Sequence, residues 1–153
     1  MDGPRWLDAR EARLWQAHLA VQRDLSGTLE RELIRDSGLS AADYQLMVPL
    51  SEAPDGLLRA RELGAMIRWD RSRLSHQISR MEKRGLLVRE DCAEDARGSM
   101  VRLTDAGWQA IVTAAPQHVE AVRRYFFDHL TEDDLETLTT LYERLLAALP
   151  AED

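Results

Sequence analysis

The chain has 153 residues, 44% hydrophobic and 31% charged, with a formal net charge of −7. That length favours one domain with a real core. No apolar run approaches the ~20 residues that cross a bilayer, and the opening MDGPRWLDARE lacks the apolar stretch of an export signal, so a cytoplasmic protein without membrane contact is expected.

Residues 1–8, with Gly3 and Pro4, read as a short lead-in. From about Ala9 to Arg35 there is no proline, and Gly27 is the one glycine. Leu14, His18, Val21, Leu25 and Leu29 recur at helical spacing, which predicts one long amphipathic helix. Asp36-Ser37-Gly38 ends it. Trp15 and His18 lie near the apolar stripe, where they either pack or line a pocket or a contact between two chains. Ser40-Ala41-Ala42-Asp43 has the form of a capping box, with Asp in the place of Glu, and opens a second helix. Tyr44, Met47, Val48 and Leu50 give it an inward face, and Pro49 is expected to bend it. Ala53-Pro54-Asp55-Gly56 is a turn, followed by a short strand at Leu57-Leu58.

A third helix is expected from about Ala60 to Ile67, with Leu63 and Ile67 inward. Arg68-Trp69 makes the turn, and Asp70 is a good N-cap for a fourth helix reaching about Arg84. Leu74, Ile78 and Met81 mark its buried face. The other face carries Arg71, Ser72, Arg73, Ser75, His76, Gln77 and Arg80, residue types that contact bases and phosphates. A helix ~10–12 Å across suits a major groove ~12 Å wide. Between Arg59 and Arg89 there are nine basic and three acidic residues, a local charge of 9 − 3 = +6, so the rest of the chain carries −7 − 6 = −13. Screening limits electrostatic reach to about 8 Å at physiological salt, so the local sign governs what docks there.

Gly85 terminates the fourth helix. Leu86, Leu87 and Val88 read as a strand, and Met100, Val101, Arg102 and Leu103 as its partner. The charged loop between them holds Asp95, Arg97 and Gly98. An arginine at such a hairpin tip suits a minor groove, where the potential is most negative. Thr104 caps a long helix from Asp105 to about His129, with Trp108, Ile111, Ala115, Val119, Val122 and Phe126 as its stripe and a kink expected at Pro116. Thr131 caps the last helix, striped by Leu135, Leu138, Leu141, Leu145 and Leu149. Stripes this continuous at both ends exceed what one small winged domain needs to cover. A second copy or an intramolecular bundle would bury them.

Several of these residues carry a family resemblance. Glu62-Leu63, Leu74, Gln77, Met81-Glu82 and Gly85-Leu86 lead to Asp95, Arg97, Gly98, Val101, Leu103, Thr104 and Gly107. The last seven spell D-x-R-G followed by V-x-L-T-x-x-G. From about Ser40 to Leu149 the chain resembles the MarR family of bacterial winged-helix regulators. The resemblance implies a mainly α fold with a small antiparallel β-wing. A winged helix-turn-helix at about 40–104 would sit in a single domain, 1–153, with dimerisation helices at about 9–36 and 105–149. It further implies a homodimer on a pseudo-palindromic operator in double-stranded DNA, with the fourth helix in the major groove and the wing in the minor groove. Family members commonly leave DNA when a small aromatic or phenolic anion binds. By chemistry and expected placement, Trp15, His18, Asp70 and Arg102 are the candidates for such an effector cleft.

An enzyme is not expected, because the chain has no Gly-rich phosphate loop, nucleophile elbow or metal cluster. Cys92 is the one cysteine, which excludes an intrachain disulfide or cysteine cluster, and His18, His76, His118 and His129 lack ligand spacing. No metal or cofactor is expected. The chain therefore reads as a sequence-specific transcriptional regulator, a repressor released by a small ligand. The alternative is an architectural protein that uses the same basic face without discriminating sequences.

Overall fold

The computed structural model describes residues 3–91 and 98–151. In order these form α1 (Ala9–Ser37), α2 (Ala41–Glu52), β1 (Leu57–Arg59), α3 (Ala60–Ile67), α4 (Arg71–Lys83), β2 (Leu87–Asp91), β3 (Ser99–Leu103), α5 (Asp105–Tyr125) and α6 (Glu132–Ala148). Short 3-10 turns stand at Pro54–Gly56 and Phe127–His129. The chain divides into two compact units, residues 1–118 and 119–153, with the boundary inside α5.

In the first unit α1, α2 and α4 start on side-chain caps, whereas α3 follows Arg59 with no side-chain cap bond. The Asp8 carboxylate accepts from the backbone N–H groups of Arg10 and Glu11, and Glu11 returns the bond to the Asp8 N–H, completing a capping box the sequence reading passed over. Ser40 and Asp43 form the expected box at α2. Asp70 accepts from the Arg73 N–H at 2.9 Å and caps α4. Each such cap satisfies N–H groups that no helical carbonyl can reach. α2 runs on through Pro49 to Glu52, and Pro49 is itself buried.

The three strands form one antiparallel sheet in the order β1-β3-β2, with Leu58 opposite Val101 and Leu87 opposite Leu103. The inward residues of this sheet join Leu46, Met47 and Leu50 of α2, Leu63 of α3, and Leu74, Ile78 and Met81 of α4 in one core. Burial of each such side chain stabilises the fold by about 1.5–3 kcal/mol before entropy is counted.

The V-x-L-T-x-x-G run has a mechanical explanation. Val101 and Leu103 are buried on the inner face of β3. The Thr104 hydroxyl donates to the Gly85 carbonyl at 2.5 Å and accepts from the Gly107 N–H at 3.0 Å, so one residue caps α5 and ties it to the turn after α4. A Cβ on Gly107 would come within 2.2 Å of the Leu86 carbonyl oxygen, so no side chain is tolerated there. Gly85 adopts φ 77°, the left-handed conformation in which glycine carries no Cβ penalty.

α5 ends at Tyr125, four residues short of the expected His129, because Phe126 leaves the helical region at φ −130° and a 3-10 turn follows. In the second unit Thr131 and Asp134 form a further capping box that starts α6. No residue of α6 is buried, and Leu145, Leu146 and Leu149 are 59%, 62% and 64% exposed. α1 in the first unit is similar: Leu33 is its one buried residue, and Leu14 and Trp15 are 72% and 53% exposed.

Candidate nucleic-acid interface

α3, the turn after it and α4 form a helix-turn-helix. The turn is made by Arg68 in the left-handed conformation, φ 55°, and by Trp69, whose N–H donates to the Gly64 carbonyl at 3.0 Å. α4 then presents two different faces. Leu74, Ile78 and Met81 are buried. Arg71, Ser72, Arg73, Ser75, His76 and Arg80 are exposed. No acid interrupts that exposed set. Beside it lies a groove of about 670 Å³ lined by Arg59, Arg61, Arg71, Arg89, Trp69 and Gly98, among others.

Gln77 does not belong to the exposed set. The sequence reading placed it with the DNA contacts, but it is buried at 8% exposure, and its Nε2 donates to the Asp43 Oδ1 at 2.7 Å. The physical reason is angular. Positions 74, 77, 78 and 81 fall on one sector of a 3.6-residue helix, so Gln77 lies on the apolar stripe despite its polar amide. A buried amide needs a partner, and the Asp43 carboxylate supplies one.

Asp43 is 1% exposed and is the centre of a polar cluster that sequence reasoning treated only as a cap. One carboxylate oxygen accepts from Gln77. The other accepts from the Arg84 Nη1 at 2.6 Å and from the Ser40 N–H at 2.9 Å. The Arg84 Nη2 also donates to the Gly38 carbonyl at 3.1 Å. The start of α2 is thereby tied to the middle and the end of α4. An inward-facing Asp at the third position of α2 was the available signal, since a buried carboxylate demands a cation or several donors.

Arg89 was counted only as basic charge, yet it joins the sheet to α4. Its guanidinium donates to the Ser75 carbonyl (2.9 Å), the Ser75 Oγ (3.3 Å), the Ser79 Oγ (3.2 Å) and the Glu82 Oε1 (3.1 Å). Its own N–H donates to the Glu82 Oε2 at 3.0 Å.

The candidate effector residues make contacts in separate places. Trp15 and His18 stack on each other along α1, ring centroids 5.5 Å apart. Asp70 caps α4. The Arg102 guanidinium donates to the Glu90 carboxylate at 2.5 and 3.1 Å and to the Asp55 carbonyl at 3.2 Å. That hydrogen bond holds the Glu90 carboxyl below its ordinary range and raises the guanidinium. Among the described residues, no hydrogen bond, ion pair or ring contact joins any of these three places to another. Asp95 and Arg97 lie outside the described residues, as does Cys92.

One further histidine is placed by the fold. His118 of α5 packs on Tyr44 of α2, centroids 4.5 Å apart, and its Nδ1 is buried without a hydrogen-bond partner among the described residues. Burial pushes its pKa down and that of Tyr44 up. Among the described residues no group of three or more His, Cys, Asp or Glu is placed to hold a metal ion. Nor, among the described residues, is any helix long and apolar enough to cross a membrane.

Comparison with known proteins agrees with this geometry. Residues 37–98 match the MarR family. Sco3205 of Streptomyces coelicolor, a MarR family transcriptional regulator solved in complex with DNA, is 39% identical, covers 99% of this chain and 95% of its own, and superposes with a TM-score of 0.92. AbsC, a MarR family transcriptional regulator of the same organism, is 38% identical over 94% of this chain and 97% of its own, with a TM-score of 0.90. The HTH-type transcriptional regulator PrsX of Escherichia coli is 25% identical over 121 residues, 77% of this chain and 70% of that protein. These relatives are transcriptional regulators, not enzymes.

Proposed function

The chain belongs to the MarR family of transcriptional regulators, and from that premise we propose that it is a sequence-specific repressor that acts on DNA as a homodimer. Each copy lays α4 in the major groove of a pseudo-palindromic operator. The loop joining β2 to β3, with Asp95, Arg97 and Gly98, meets the adjacent minor groove. Arg71, Ser72, Arg73, Ser75, His76 and Arg80 supply the contacts of α4. The protein works in the cytoplasm, beside the chromosome.

One observation carries this reading: the exposed face of α4 is built of Arg, Lys, Ser and His side chains with no acid among them, while its opposite face is locked into the core. A helix so mounted offers base-reading groups near its start and backbone-binding groups further along. The related Sco3205 was solved on DNA, which supports the same use of the shared fold. Dimerisation is supported by the apolar side chains left exposed on α1, and independently by those on α6. The operator's two-fold symmetry would mirror that of the dimer.

The test is a footprint on DNA flanking the protein's own gene, together with the affinity ratio of that DNA to random duplex. A symmetric protected site and a ratio of at least about 10³ are expected. A ratio near one would instead favour the architectural reading, in which only backbone charge is used.

Release by a small aromatic anion completes the proposal. The stack of exposed Trp15 on half-buried His18 in α1 supports it, since it offers an aromatic face and an imidazole together. Such a ligand need only prefer a dimer whose α4 helices no longer match the operator. Salicylate titrated against wild type and Trp15→Ala should bind the wild type more tightly, and equal affinities would remove Trp15 from the site.

A further inference from the structure

We propose that Trp69 is a positioning residue for sequence discrimination: its indole holds the Arg73 guanidinium in the orientation from which Arg73 reads a base edge. This rests on the reading of α4 as a DNA-contacting helix given above.

The guanidinium carbon of Arg73 lies over the Trp69 ring, 3.8 Å from its centroid. That is van der Waals contact, well inside the range of about 6 Å at which a cation is attracted to an aromatic face. The ring is a fixed platform. Trp69 is only 9% exposed, belongs to the main core and has its backbone bonded to Gly64. The other end of Arg73 is fixed as well, because its N–H donates to the Asp70 cap. Both the root and the tip of a long side chain are thus held, on the third residue of α4, within the first turn, where such helices reach base edges.

Stacking uses the face of the guanidinium and leaves the N–H groups of its edge to bond outward. Among the described residues, no carboxylate pairs with Arg73. Its fork therefore stays available for the two acceptors that guanine presents in the major groove. Arg71 and Arg80 share the exposed face, and among the described residues neither lies over an aromatic ring. Trp69 itself never touches the nucleic acid and acts through Arg73 alone. Polar residue types marked the contacts in the sequence, so a buried indole in the turn before the helix was passed over.

The test uses the full chain and a 30-bp duplex enriched by the wild-type protein from a random pool, against a scrambled duplex of the same composition. Trp69→Leu should lower the ratio of the two affinities about tenfold, a loss within the range of one bidentate base contact. Affinity for the scrambled duplex and the salt slope should hold, since backbone contacts are untouched. Arg73→Ala should lose as much, and the double variant no more than either alone. Trp69→Phe, which keeps an aromatic face, should retain most of the ratio. In the unmodified protein the Arg73 δ-methylene protons should be shifted upfield by the indole ring current, a readout that does not depend on any variant folding. Independent, multiplying losses in the two single variants would overturn the proposal, as would equal losses on scrambled DNA or unshifted δ-protons. Failure of the wild type to enrich any duplex would remove the DNA-reading premise as well, and so is distinguishable from failure of the stack.

Discussion

The helix-turn-helix and the terminal helices treat their apolar side chains in opposite ways. Leu63, Leu74, Ile78 and Met81 of α3 and α4 are exposed by 5% or less. On α1, Leu14, Trp15 and Leu19 are 72%, 53% and 44% exposed, and Leu145 of α6 and Leu149 just after it are 59% and 64% exposed. Both regions show helical apolar periodicity, so period alone does not say whether a stripe closes on its own chain. Met66 of α3, 59% exposed, is the exception in the helix-turn-helix; otherwise the large apolar side chains of α3 and α4 are covered within one chain, whereas α1 and α6 each expose several, the kind of surface that marks an interface.

The largest effect should come from breaking the proposed self-association. Leu145→Glu combined with Leu149→Glu is expected to give a monomer by light scattering. Operator affinity should fall roughly 10²–10⁴-fold, the loss expected when two linked contacts become one. Helix content should be nearly unchanged. A double variant that stays dimeric would place the interface elsewhere.

The next effect sharpens the self-contained half. Asp43→Ala removes the carboxylate on which Gln77, Arg84 and the α2 cap converge. Leaving the buried Gln77 amide unpartnered and the cap undone should cost about 2–4 kcal/mol in urea unfolding. Gln77→Ala removes the buried amide itself, and should lower stability while leaving base preference unchanged. Altered base preference at wild-type stability would return Gln77 to the DNA face.

The smallest effect concerns pH. Burial depresses the His118 pKa below its ordinary value of 6.5, so the folded state favours the neutral ring. Above about 6.5 the ring is neutral in both states and its contribution is fully present. As pH falls below that value, the unfolded chain takes up the proton first, and stability declines until the folded ring is protonated too. His118→Gln should flatten that decline in melts between neutral and mildly acidic pH, and an unchanged slope would assign it to other groups.

Much of the fold could be read from local chemistry. Ser40, Asp70, Thr104 and Thr131 announced helix starts, because a cap is a short-range bond between neighbours in sequence. The bounds of α3 fell where expected, and so did its turn. What stayed hidden depended on partners far along the chain. Asp43 and Arg84 are 41 residues apart, and Arg89 meets Ser75 14 residues back. Residue type misled at Gln77, where amide chemistry was weighed above helical angle. It also concealed Trp69, whose service to Arg73 is a matter of stacking in the fold.

The four-way grip of Arg89 on Ser75, Ser79 and Glu82 has a last consequence. Through this one residue β2 is fastened to α4, so strand and helix are held together. In the proposed dimer, tuning by an effector would then alter the gap between the α4 helices of two protomers and leave each α4–β2 pair intact.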